Sequence, residues 1–161
     1  GLHFTPALIE DIKRKGCSVQ AVTLDVGLGT FRPVKEETVE EHRIHEEHVV
    51  IDKTVVEAVR DLRQRGGSLF AVGTTVVRSL ESAAVGDGTI REMEGDTGLF
   101  IFPGFRYTVV DHLITNFHLP RSTLLMLVSA FAGKELIMKA YAEAVKERYR
   151  FYSFGDAMLI L

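Results

Sequence analysis

The sequence predicts an α/β (α+β) fold, with a large mixed sheet flanked by helices. Three observations predict it. Apolar stretches of strand length alternate with segments of helical period, and glycines and capping residues punctuate the joins. Of the 161 residues, 46% are hydrophobic and 25% charged, which suits one globular domain, 1–161, with a sizeable core.

The elements follow in order. Thr5 before Pro6 reads as an N-cap with proline at the first helical position, Leu8, Ile9 and Ile12 share a face, and Gly16 stops the helix. Residues 17–26 alternate and predict a strand, in which Cys17 reads as a buried structural thiol. A loop over 27–34 leads through Glu36, Glu37, Glu40 and Glu41 to a His-rich stretch and a short strand, Val49-Val50-Ile51. Asp52 caps a helix with Val55, Val59 and Leu62 at i, i+4 and i+7, which ends at Gly66-Gly67. A strand over 68–72, a turn at Gly73-Thr74-Thr75 and a helix over 76–84 come next. Glycines and charges over 85–98 predict a long loop. Strands are expected over 99–102 and 106–113. Pro120 and a Ser122 N-cap introduce an apolar helix over 124–132. A last helix over 134–148 carries Leu136, Ile137, Ala140, Tyr141, Ala144 and Val145 on one side, and Met158-Leu159-Ile160 closes the chain as a strand.

Composition excludes several classes. A net charge of −3 is not the footprint of a general nucleic-acid binder, so any RNA contact must be local. A single cysteine precludes an internal disulfide. No apolar run is long enough to span a bilayer, and a cytoplasmic location is expected.

Four groups of residues carry candidate chemistry. Asn116 and His118 stand on a short loop directly before a rigid apolar helix, where reactive groups are commonly mounted. Val72-Gly73-Thr74-Thr75 reads as strand, turn and helix start, and its unpaired N–H groups suit a carboxylate or phosphate, with Arg78 one turn in. Capping of that helix by Thr74 or Thr75 fits equally. His42, His45 and His48, with Glu41, Glu46 and Glu47, suggest proton transfer or a metal. The extended run after them would turn alternate residues to opposite faces, and no HExxH spacing supports an ion. Lys146, Arg148 and Arg150, interleaved with Tyr149 and Tyr152, match a surface for unpaired bases beside phosphates, or a solvated helix end.

The segments Val26-Gly27-Leu28-Gly29-Thr30-Phe31-Arg32-Pro33, Thr115-Asn116-Phe117-His118-Leu119-Pro120-Arg121-Ser122 and Phe151-Tyr152-Ser153-Phe154-Gly155-Asp156, taken together, resemble the S-adenosylmethionine:tRNA ribosyltransferase-isomerase family of queuosine biosynthesis. Leu2-His3-Phe4-Thr5, Glu41-His42 with His45 and Glu47, Val72-Gly73-Thr74-Thr75 with Arg78, and Leu99-Phe100-Ile101 add to the resemblance. It implies the C-terminal part of the catalytic α/β domain, without the N-terminal part and the inserted β-barrel domain of the full-length family. It also implies transfer and isomerisation of the ribosyl moiety of S-adenosylmethionine onto the 7-aminomethyl-7-deazaguanine of tRNA, giving epoxyqueuosine, adenine and methionine. S-adenosylmethionine is then a substrate, no cofactor is needed, and the other partner is a tRNA anticodon loop.

Under that resemblance His42, His45 and His118 are the expected proton-transfer groups, with Glu47 orienting. Gly27, Gly29, Thr30, Phe31, Arg32, Gly73, Thr74, Thr75, Arg78, Asn116 and Phe117 are the expected substrate contacts, the two phenylalanines facing the sulfonium. The RNA surface is expected at Lys146, Arg148, Tyr149, Arg150 and Tyr152. Two other readings stand beside it: a non-catalytic S-adenosylmethionine- or RNA-binding fragment, and a metal-dependent hydrolase using the His/Glu cluster.

Overall fold

The computed structural model describes residues 3–27 and 44–161. Their elements are α1 (Pro6–Arg14), β1 (Thr23–Leu24), β2 (Glu47–Ile51), α2 (Lys53–Gln64), β3 (Phe70–Val72), α3 (Thr74–Ser82), β4 (Met93–Thr97), β5 (His112–Asn116), α4 (Thr123–Ala132), α5 (Lys134–Lys146) and β6 (Ala157–Ile160).

The α/β class expected from the sequence holds, and in place of the large mixed sheet the described residues form two three-stranded sheets. One is antiparallel, in the order β1-β2-β4, and the other is mixed, in the order β3-β5-β6. In the mixed sheet β3 runs parallel to β5 with Val72 opposite Ile114, and β6 returns antiparallel with Ala157 opposite Asn116. Helix α3 touches β1 and β2 of one sheet and β3 and β5 of the other. That central position explains why Thr74, Val77, Arg78, Ser79, Leu80 and Glu81 are all buried along it.

Capping residues set the helix starts as read from the sequence. Thr5 accepts from Leu8 N–H at 3.2 Å, Asp52 from Val55 N–H at 3.0 Å and Ser122 from Leu125 N–H at 3.2 Å. Helix α2 buries Val55, Val56 and Val59, while Val49 and Ile51 of β2 are fully enclosed in the same core with Val77, Leu113, Leu127 and Val128.

The strand expectations fared differently. Among the described residues the 17–26 stretch is a strand only over Thr23 and Leu24, extended by the Asp25 N–H bond to His48 O at 2.9 Å, and Cys17 is exposed rather than buried. Conversely, Met93–Thr97, inside the expected long loop, is a strand held by all five residues of β2. Residues 106–110 form no strand, because the Glu81 carboxylate takes their N–H groups: Thr108 at 3.1 Å, Val109 at 3.0 Å and Val110 at 3.0 Å. Residues 99–102 are irregular for the same kind of reason. Leu99 N–H donates to Thr97 Oγ1 at 3.2 Å, and Leu99 O accepts from Arg78 Nε at 3.1 Å.

Among the described residues an apolar surface is left uncovered. Leu136 on α5 and Leu159 and Leu161 at β6 are exposed beside a groove of about 630 Å³ between the two elements. Helix α1 buries no residue, although Leu8, Ile9 and Ile12 form an apolar face.

Candidate active site

The parallel β3–β5 pair ends at Gly73 on one strand and at Asn116 on the other. The carboxyl edge of parallel strands is where open α/β sheets bind ligands. Gly73 turns the chain with φ +101°, a conformation that L side chains rarely adopt, while its N–H still donates to Ile114 O at 2.8 Å. Helix α3 starts immediately after it with no side-chain cap. The first-turn N–H groups of Thr74, Thr75 and Val76 have no acceptor among the described residues, so capping by Thr74 or Thr75 is not what the structure has.

Asn116 stands at the centre of this edge, between Gly73-Thr74 and Asp156-Ala157. Its Nδ2 lies 2.8 Å from His3 Nε2 and 3.4 Å from Asp156 O. His118 is half-buried, with Nε2 3.0 Å from Thr115 Oγ1, and its N–H donates to Tyr141 OH at 2.8 Å. Burial pushes the His118 pKa down to about 4, so the ring is neutral at neutral pH. The proton-transfer role expected of His118, which needs a pKa near neutrality, does not fit this burial. Phe117 points away from the edge: its ring is 4% exposed and packs against Tyr141, Phe151 and Tyr149 at centroid distances of 5.4, 5.1 and 5.7 Å. It is a core residue and presents no face to a sulfonium.

A second cluster corrects two more expectations. Glu47 and Arg78 form a buried ion pair, with side chains 1% and 4% exposed. Glu47 Oε1 also accepts from Gly27 N–H at 3.0 Å, and Arg78 Nε holds Leu99 O. Glu47 is therefore turned into the protein, and Arg78 is engaged with a carboxylate and a carbonyl. Together they tie the start of the glycine loop, β2, α3 and the Leu99 segment to one point. Arg78 Nη2 is buried with no acceptor among the described residues.

His45 is exposed and precedes β2, while His48 on that strand places Nδ1 3.0 Å from Asp96 Oδ1. No group of three or more His, Cys, Asp or Glu residues is placed to share an ion among the described residues. Gly29, Thr30, Phe31, Arg32 and His42 lie outside the described residues.

In the basic aromatic segment, Lys146 pairs with Glu143 at 2.9 Å and Glu147 at 3.5 Å. Arg150 pairs with Asp156 at 2.9 Å, and this guanidinium holds the Asp156 carboxyl below its usual value. Arg148 forms no ion pair among the described residues and sits at φ +58°, with Tyr149 and Tyr152 half exposed beside it. The expected three-cation surface is thus largely neutralised.

The family described as queuosine biosynthesis protein matches residues 1–160. The chain belongs to this family. It is 55% identical to the S-adenosylmethionine:tRNA ribosyltransferase-isomerase of Thermoanaerobacter sp. strain X514, over 100% of this chain and 47% of that protein. To the protein of the same name from Thermotoga maritima it is 59% identical, over 100% of the chain and 48% of the relative. A crystal structure of S-adenosylmethionine tRNA ribosyltransferase from Thermotoga maritima superimposes with a TM-score of 0.83 at 53% identity, covering 100% of this chain and 51% of that one. The chain thus spans about half the length of the curated relatives it matches.

Within this queuosine biosynthesis chain, Asn116 and the Gly73 turn, both singled out in the sequence, meet at one edge, and the structure adds His3 beside Asn116, which the sequence did not single out for a role. The signal was present, since His3 lies in one of the segments that carry the resemblance. Its contact partner is 113 residues away, which no spacing reveals.

Proposed function

We propose that the full-length protein containing this chain transfers and isomerises the ribosyl moiety of S-adenosylmethionine onto the 7-aminomethyl-7-deazaguanine of a tRNA anticodon loop, forming epoxyqueuosine and releasing adenine and methionine. The observation that carries this reading is the meeting of an uncapped helix start, Asn116 and imidazoles at one carboxyl edge, in a chain of the queuosine biosynthesis family.

The chemistry asks for three things. The sulfonium substrate brings a carboxylate that needs an anion site. The free first-turn N–H groups of α3 at Thr74, Thr75 and Val76 provide one without a competing side chain. Adenine must leave and an amine must attack uncharged, so protons have to move through groups with pKa values near neutrality. The imidazoles His42 and His45 are candidates for that task. His118, kept neutral by burial, serves instead as a hydrogen-bonding group that sets the loop after β5. Asn116 supplies an amide to the bound substrate at the centre of the edge. Gly27, Gly29, Thr30, Phe31 and Arg32 are the substrate contacts that the resemblance assigns, and of these Gly27 is held by Glu47, itself paired with Arg78. Tyr149, Tyr152 and Arg148 contact the RNA by stacking and charge.

The test uses the full-length protein with S-adenosylmethionine and tRNA carrying the 7-deazaguanine, following adenine by chromatography. Stoichiometric adenine release with modification of the tRNA is expected. Binding of S-adenosylmethionine with no adenine released refutes the transfer reaction and leaves a binding protein.

A further inference from the structure

The carboxyl edge of β3 and β5 holds an imidazole that the roles above leave unused. His3 Nε2 lies 2.8 Å from Asn116 Nδ2, and the same amide nitrogen reaches Asp156 O at 3.4 Å. A carbonyl oxygen only accepts, so the Asp156 contact turns the NH2 end of Asn116 toward both partners. An NH2 group has only protons to offer. His3 Nε2 is therefore the accepting, unprotonated nitrogen, and the ring proton sits on Nδ1.

Position adds to this. Asn116 ends β5, flanked by the free helix start on one side and by Asp156 on the other, so His3 stands over the centre of the edge. His3 is exposed to solvent and to an incoming ligand, whereas His118 on the same loop is half-buried and engaged at its backbone by Tyr141. Asp156, which leads into β6, pairs with Arg150, and its backbone oxygen lies 3.4 Å from the same Asn116 nitrogen that meets His3. No titratable side chain of α3 or β5 hydrogen-bonds to His3 among the described residues.

We propose that His3 is a catalytic base of this site, its Nε2 lone pair taking the proton that the acceptor amine releases as the new C–N bond forms. The amine N–H bond breaks and an Nε2–H bond forms. The nitrogen electron pair goes into the bond to the ribosyl carbon, the bonding pair displaced at that carbon moves onto the sulfonium portion of the substrate, whose positive charge it neutralises, and the ring becomes an imidazolium beside Asp156. Nδ1 keeps its proton throughout. In the free protein Asn116 holds the ring in the one tautomer that can do this, and the substrate N–H replaces the amide as donor on binding. This rests on the transfer reaction proposed above.

The experiment uses the full-length protein with S-adenosylmethionine and the tRNA substrate. Two variants are compared: His3→Gln, which can still accept from Asn116 but cannot titrate, and His3→Ala. Both are expected to lose on the order of a hundredfold or more in kcat, with affinity for both substrates intact. The acidic limb of the kcat/KM profile is expected to vanish in His3→Gln, and added imidazole to restore part of the activity of His3→Ala. Wild-type turnover and pH profile in His3→Gln overturn the proposal. So does activity lost only in His3→Ala, because the ring then merely positions Asn116. If the wild-type protein releases no adenine, the transfer reaction itself fails. The tautomer is then read by nitrogen NMR of the same protein: a bare Nε2 is expected, and a bare Nδ1 overturns the assignment by itself.

Discussion

Removing the Glu47 carboxylate tests the most buried ion pair among the described residues. In Glu47→Ala the Arg78 guanidinium, 4% exposed, stays inside with its countercharge gone, and Gly27 N–H loses its acceptor. Breaking a buried pair by deleting one partner costs about 3–5 kcal/mol. For a domain of this size each kcal/mol lowers Tm by roughly 2–4 °C, so a fall of roughly 6–20 °C is expected. Arg78→Met alone should be comparably damaging, since it leaves the carboxylate buried. The double variant Glu47→Leu with Arg78→Met should lose clearly less than the sum, because no uncompensated charge remains. Thermal unfolding of the full-length protein, followed by near-UV circular dichroism, reads all three. Losses below about 1 kcal/mol in the single variants, the value of an exposed pair, would refute the reasoning. Strict additivity in the double variant would do the same.

Three further outcomes follow from the same geometry. His118, with a folded pKa of about 4 against 6.5 for the free group, binds a proton less readily when folded. Its contribution is therefore complete above pH 6.5 and is lost as pH falls toward 4, on the order of 3 kcal/mol in all. His118→Asn should flatten the stability profile in that window, and an unchanged slope in urea melts between pH 4 and 6.5 contradicts the assignment. At the RNA surface, Arg148→Ala should reduce the log–log salt slope of tRNA binding by about 0.7, while Lys146→Ala, already paired with Glu143 and Glu147, should change it less. Equal slopes for both variants would remove Arg148 from the interface. The groove between α5 and β6, with Leu136, Leu159 and Leu161 exposed, should make the 161-residue chain bind an apolar dye that the full-length protein binds weakly. Equal dye binding by both would mean that the groove stays open in the longer protein.

Local rules made a large part of this protein legible from its sequence. Thr5, Asp52 and Ser122 each fixed a helix start, because a short oxygen-bearing side chain can serve an N–H only two or three residues ahead. The apolar periods of α2 and α4 and the Gly73 turn are local in the same sense. The motifs at Gly73 and Asn116 marked residues that the fold brings to one edge. Tertiary structure decided the rest. Met93-Glu94-Gly95-Asp96-Thr97 has almost no strand signal and becomes β4 only because β2 offers a ladder across more than 40 residues of sequence. Residues 106–110 read as a strand, yet they surrender their N–H groups to Glu81, a carboxylate on another element. The site followed the same division. Residue type nominated Glu47, Arg78, Phe117 and His118, but burial and pairing turned the first three inward and neutralised the fourth. The return of β6 beside β5 brings Asp156 to Asn116, and only the folded chain brings His3 there across 113 residues of sequence. Sequence specifies which hydrogen-bonding and titratable groups exist and the structure of short segments. Which group meets which, and in what charge state, depends on distances closed by the whole chain and on the water excluded when it packs.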